Sequence, residues 1–335
     1  MMEAVMGKAI VNICRWLIDT CKFILLFPIS INAGKATILT CAQISGFFYI
    51  IAINIDCMAR KTMAFYPPTP LVMSPKDQLR VEIGPLYVAC SIADQHTIHA
   101  FEFFELDNDI NDWSDVFFEI KNNSVLLDKY SGNVHLCYNF REALIVPTEK
   151  MNSAAATDFL SMVYGESNRH EQKHDKLADT KNMVNCYRIR KTILDQAVRH
   201  FHLFQGHHIY TEILNSLFAR PDLPDTLLHI QVYPQSFIAV LMIKGQLHFI
   251  QSYSFETSAD LCFYLLSILK EHDLRAEDTN IEMSGFIELH GELHQHLQQL
   301  FPKRSFSNLS ESALIPEMLE SYHAHYFTPF FNPIV

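Results

Sequence analysis

From residue 86 onward, hydrophobic and polar positions follow an orderly pattern. Residues 86–93 (LYVACSIA) and 98–106 (IHAFEFFEL) are strand-like runs joined by Asp94-Gln95-His96-Thr97, which predicts a hairpin. Short strands are predicted over 134–138 and 143–146. The pattern over 153–163 predicts a helix with Gly165 as its stop signal. The polar stretch 166–181 reads as an exposed loop. A strand over 184–189 follows, then a helix with Ile189, Ile193, Ala197, Phe201 and Phe204 on one face, at spacings of three and four.

The second half repeats this order of elements without repeating the sequence. Residues 227–233, 237–244 and 247–255 are strand-like, the last two joined through Gly245. Thr257 opens a helix with Asp260 three residues on, a capping box with Asp in the Glu position, and Leu261, Leu265, Ile268 and Leu269 form its apolar face. A short strand over 280–283 precedes Ser284-Gly285. Leu289, Leu293, Leu297 and Leu300 then mark an amphipathic helix that stops before Pro302.

Residues 1–57 have a different character. The run 36–55 is uncharged and includes Phe47, Phe48, Tyr49, Ile50 and Ile51. It has the length of a bilayer span, although Thr37, Thr40, Gln43, Ser45 and Asn54 dilute it. Three readings are open: a membrane anchor or uncleaved signal, a buried element, or upstream sequence before a true start at Met58 or Met63. The third is preferred, because Met58-Ala59-Arg60-Lys61 reads as an ordinary start. Residues 58–84, with Pro67, Pro68, Pro70 and Pro75, read as a tether. The remainder divides into a first lobe, 85–222, and a second, 225–335.

Composition narrows the function. The chain has 335 residues, 49% of them hydrophobic, and a net charge of −11. Glu102, Glu105, Asp107, Asp109, Asp112, Asp115 and Glu119 form an acidic run without a base, most simply a solvated face with Trp113, Phe117 and Phe118 packed on the core. Nucleic-acid binders carry basic faces for phosphate contacts, so no nucleic-acid partner is expected. The eight cysteines include no C-x-x-C pair, which argues against zinc ribbons and disulfide scaffolds and points to a reducing, cytoplasmic compartment.

Three stretches carry a family resemblance: Phe103-Phe104-Glu105-Leu106 with Trp113 and Phe117-Phe118; Gln251-Ser252-Tyr253-Ser254-Phe255-Glu256-Thr257 with Asp260 and Tyr264-Leu265-Leu266; and Met283-Ser284-Gly285-Phe286-Ile287-Glu288. Over about 85–328 the chain resembles a bacterial family of uncharacterised proteins with the actin-like ATPase fold. The resemblance implies an α/β, two-lobed actin-like (ribonuclease H-like) fold with duplicated ββ(β)αβα halves.

Such ATPases hold nucleotide phosphates with two Asp-x-Gly hairpins and a glycine turn on the adenosine side, because unobstructed backbone N–H groups must reach the phosphates. Here Asp94 is present but His96 replaces the glycine, and Tyr233-Pro234-Gln235-Ser236 has neither residue. Ser284-Gly285 resembles the glycine turn. Asp94, Ser284 and Gly285 are thus the candidate nucleotide contacts of an inter-lobe cleft, although no ATP–Mg²⁺ cofactor is expected with two of three motifs degraded.

Other chemistry is disfavoured. His290-Gly291-Glu292-Leu293-His294 lacks the H-E-x-x-H order of a zincin, and these histidines, with His296, His200, His202, His207, His208, His323 and His325, read as surface residues rather than metal ligands. No P-loop or G-x-S-x-G elbow is present. The leading function is a non-catalytic cytoplasmic interaction or scaffold protein with an unidentified protein partner. The alternatives are a nucleotide-binding protein using the cleft, and a membrane-tethered assembly component similar to the actin-like subunits of secretion or pilus machines, should 36–55 be an anchor.

Overall fold

The computed structural model describes residues 58–67, 74, 76–107, 110, 112–130, 132–178, 181–307 and 309–331. Of residues 1–57 it gives only the backbone of four strands, Ile24–Leu26, Ser30–Asn32, Lys35–Ile44 and Phe47–Asp56. The expectations for 1–57, as a spurious leader or an anchor, otherwise lie outside the described residues. Among the described residues, no helix is long and apolar enough to cross a membrane.

The chain divides into two compact units, Met1–Arg60 with Leu106–Ser124, and Lys61–Glu105 with Val125–Val335. In the first, helix α1 (Trp113–Asn123) is capped by Asp112, whose side chain accepts from the Ser114 N–H. Its buried residues Trp113, Val116, Phe117 and Ile120 share one helical face, while Phe118 is 61% exposed. The acidic run supplies this helix with a cap and an outer face.

The second unit contains two sheets with the same strand order. The first comprises β1 (Ala59–Phe65), β2 (Gln78–Ile83), β3 (Tyr87–Ala93), β4 (Ile98–Leu106), β5 (Val134–Tyr138) and β9 (Phe204–His208), ordered β9-β5-β2-β3-β4-β1. Strands β2, β3 and β4 form an antiparallel meander, and β5 and β9 add in parallel. Between β4 and β5 lie α1 and the short α2 (Val125–Lys129). Between β5 and β9 the chain inserts β6 (Ala143–Pro147), α3 (Ser153–Tyr164), β7 (His170–Lys176), β8 (Met183–Arg190) and α4 (Lys191–His200). The inserted strands form their own sheet, β6-β8-β7.

After α5 (Ile209–Ala219) come β10 (Thr226–Tyr233), β11 (Ser236–Ile243), β12 (Gln246–Ser254), α6 (Ser258–Glu271), β13 (Asn280–Gly285), α7 (Glu292–Leu300), β14 (Arg304–Phe306) and α8 (Pro316–Ser321). The second sheet runs β12-β11-β10-β13-β14, again a meander followed by parallel additions. Its alternating residues Leu228, Ile230, Val232, Ile281 and Met283 pack against Leu261, Leu265, Ile268 and Leu269 of α6 and Leu297 of α7. The capping box at Thr257 and Asp260 is complete.

Several elements differ from the sequence reading. The stretch 58–84 contains two strands, and β2 is central in its sheet. Its sequence, QLRVEI, reads as a charged linker because Arg80 and Glu82 alternate with apolar residues; both are buried, bonded to each other at 2.9 Å. The loop expected over 166–181 contains β7. Its residues, HEQKHDK, are all polar, so pairing with β8 defines the strand and no hydrophobic alternation announces it. The helix expected from Ile189 to Phe204 is limited to α4, because Ile189 belongs to β8 and Phe204 to β9.

Three polar residues read as solvent-facing are buried. Glu102 accepts from Lys61 Nζ at 3.1 Å and from the Val125 N–H at 2.9 Å. His208 caps α5 through Nδ1 and has Nε2 2.7 Å from the Phe140 carbonyl oxygen. His325 places Nε2 2.8 Å from the Ile287 oxygen and stacks on Phe306.

Candidate functional site

Asp94, Ser284 and Gly285 do not converge. Asp94 shapes the β3–β4 turn: its Oδ1 accepts from the N–H groups of His96 and Thr97 at 2.7 and 2.8 Å, and His99 Nε2 lies 3.4 Å from Oδ2. These bonds, led by the one from His96, hold its carboxyl below the usual Asp value. Ser284 is buried, with Oγ 3.4 Å from the Ile230 oxygen. Gly285 has φ +88°, and a Cβ there would lie 2.0 Å from the Val232 oxygen, so this crossing requires glycine.

Pairing places Gly285 beside Val232 at the end of β10, near the Pro234-Gln235 turn. Asp94 lies beyond the opposite end of its sheet, next to the start of β2, one strand length or about 20 Å away from the β2–β3 turn. The hidden strand β2 accounts for the error. The counterpart of Tyr233-Pro234-Gln235-Ser236 is the turn Gly84-Pro85-Leu86. Just before it, Glu82-Ile83-Gly84 preserves the carboxylate-x-glycine spacing sought at Asp94. The prolines and charges around that spacing read as a tether and conceal it.

Glu82 is engaged by its own fold. It accepts from Arg80 at 2.9 Å, from the Tyr87 hydroxyl and from Asn139 Nδ2 at 3.3 Å. Burial pushes its carboxyl above the usual Glu value, outweighing Arg80. The Tyr87 ring lies over Gly84 so closely that a Cβ there would meet it at 2.3 Å. The same ring stacks on Tyr233 at 5.3 Å and on Phe103 at 5.2 Å, with Phe330 edge-on to both tyrosines. Aromatic carbon therefore occupies the space over the first turn that a phosphate cradle would leave open.

Helix α5 links the polar faces of the two sheets. Its Glu212 bonds Arg80 on the first, and Arg220, just beyond its end, bonds both oxygens of Glu282 on the second at 2.7 and 3.0 Å. Glu212, Arg220 and Glu282, together with His229, Gln231 and Thr328, line a cavity of about 390 Å³. Burial raises the Glu282 carboxyl, but hydrogen bonds from His229 and Arg220 prevail and bring it down to about 2.

Among the described residues, no three His, Cys, Asp or Glu side chains are grouped to hold a metal. His290 is exposed, whereas His294 and His296 are half-buried on α7.

The fold is shared with solved structures. A Bacteroides thetaiotaomicron protein with an actin-like ATPase fold and unknown function matches over 73% of this chain and 94% of its own, with 13% identity and a TM-score of 0.61. A chain of the PilM–PilN type IV pilus biogenesis complex matches over 77% and 97%, with 13% identity and a TM-score of 0.52. The fold is the two-lobed actin-like ATPase fold with duplicated halves, as the sequence resemblance implied. Residues 71–303 match DUF3822, a family of proteins of unknown function, and the chain belongs to that family. No curated protein is significantly similar in sequence.

Proposed function

We propose that this protein is a non-catalytic member of the actin-like fold that works as an interaction or scaffold component. The carrying observation is Tyr87, which lies over the turn where the fold's phosphate cradle would open and stacks on Tyr233 of the other sheet. Glu82, the acid closest to that turn in sequence, is committed to Arg80, Tyr87 and Asn139 rather than directed at a ligand. Pro234 contributes no N–H to the second turn.

A protein partner fits this reading, since one structure of similar fold is a complex of type IV pilus biogenesis. The described free cysteines, Cys90, Cys137, Cys186 and Cys262, are all buried and suit a reducing cytoplasm. Phosphate release from ATP with Mg²⁺ tests the non-catalytic reading. The expected rate equals the protein-free background; release abolished by Glu82→Gln would overturn it.

A further inference from the structure

A second cavity, of about 370 Å³, opens beside Pro85 and Ser236. The inserted sheet supplies its charged wall. Residues 188 and 190 share one face of β8, and His170 on β7 stands directly opposite Arg190. Arg141 and Glu142, following β5, complete that wall. Asp94, Ser284 and Gly285 do not line it.

Its charges do not cancel. Arg188 is fixed by three bonds: Nε to Glu142 Oε2 at 2.6 Å, and its two terminal nitrogens to the Gly165 and Tyr164 oxygens at 2.6 and 2.9 Å. These carbonyls belong to the C-terminal end of α3, where a cation is favoured. The single carboxylate, Glu142, is thereby used by Arg188, with His170 Nε2 a further 3.6 Å away. Among the described residues, neither Arg141 nor Arg190 has an ion-pair partner. Three guanidiniums against one carboxylate leave two positive charges, in a chain whose net charge is −11. Arginine does not lose its proton at physiological pH, so the excess is permanent.

The opposite wall offers hydroxyls. Ser252 and Ser254 are alternate residues of β12, and Ser254 is paired with Ser236 on β11. Burial holds His170 below its ordinary value, and Arg188 and Arg190 lower it further against the pull of Glu142. The site thus combines a permanent cationic wall, a hydroxyl wall and the volume of a small-molecule pocket.

We propose that this cavity binds a small ligand carrying at least two negative charges, held by Arg141 and Arg190 and oriented by the serine hydroxyls. Phosphate and carboxylate groups share the required chemistry, because either accepts paired hydrogen bonds from a guanidinium. Binding here is separate from phosphate transfer and does not require the cradle at Gly84.

The test is titration calorimetry on the full chain with pyrophosphate and with citrate, at constant ionic strength. Saturable one-to-one binding of at least one probe is expected. In Arg141→Ala/Arg190→Ala it weakens at least about tenfold, while the unliganded melting point is unchanged and Lys270→Ala binds as wild type. Pyrophosphate alone identifies a phosphate ligand, citrate alone a carboxylate, and both a site that reads charge. Absence of saturable binding by either probe, or undiminished binding by the double variant, overturns the proposal.

Discussion

The ring of Tyr87 lies nearly parallel to that of Tyr233, with centroids 5.3 Å apart and planes at 11°, and joins the end of one duplicated sheet to the end of the other. Tyr87 also donates to Glu82, so one side chain links the aromatic contact to the buried charges beneath it.

Shortening Tyr87 separates these roles. Tyr87→Phe retains the stack but removes the hydroxyl that donates to Glu82 and accepts from Asn139 Nδ2, and should cost about 1–3 kcal/mol. Tyr87→Ala also loses a fully buried ring and should cost about 3–5 kcal/mol or more. Urea denaturation midpoints of the two variants test this; equal losses would mean that the ring contributes nothing beyond its hydroxyl.

Gly285 and Gly245 form an internal comparison. Both have positive φ, but an added Cβ at Gly245 meets nothing within 4 Å, whereas at Gly285 it meets the Val232 oxygen at 2.0 Å. Gly245→Ala should cost about 1 kcal/mol, and Gly285→Ala several times that, because the two strands must separate. Comparable melting points for the two variants would contradict the close β10–β13 approach.

Acid stability should report on Glu282. Its folded-state pKa, about 2, lies below the ordinary value of 4.5, so its contribution is complete at neutral pH and above. That contribution, on the order of 3 kcal/mol, is lost as pH falls through 4.5 towards 2. Glu282→Gln should therefore lower stability at pH 7 and flatten its fall between about pH 5 and 2. An unchanged slope in that window would show that His229 and Arg220 do not hold the carboxylate.

Helix α7 separates packing from metal binding. Leu297 is fully buried in the second-sheet core, and Leu297→Ala should cost about 2–5 kcal/mol. Leu293, only partly buried, should cost less. Replacing His290, His294 and His296 together by Gln should shift the melting point less than Leu297→Ala, and a chelator should leave the wild type unchanged. Unfolding by the chelator would identify a metal that this helix holds.

Elements bounded by local chemistry were legible in the sequence. The 153–163 helix with Gly165, the Thr257 cap and the leucine face of α6 follow from spacing and capping alone. Elements defined by distant partners were not. Strand β2 was not legible because its charges are buried against partners far along the chain, Glu212 for Arg80 and Asn139 for Glu82, and β7 was not because its residues are all polar. The buried histidines were hidden for the same reason: the carbonyl beside His208 is at Phe140, and that beside His325 at Ile287. Missing β2 moved the candidate acid from Glu82 to Asp94, at the wrong end of the sheet.

The central claim is that the Tyr87 ring, stacked on Tyr233, fills the space over Gly84 in the first turn. A double-mutant cycle with Tyr87→Leu and Tyr233→Leu, read from urea denaturation, tests it most directly. A coupling energy of about 1 kcal/mol is predicted for the stacked pair. Strictly additive losses would mean that the rings do not meet in solution, leaving the first turn open to a ligand.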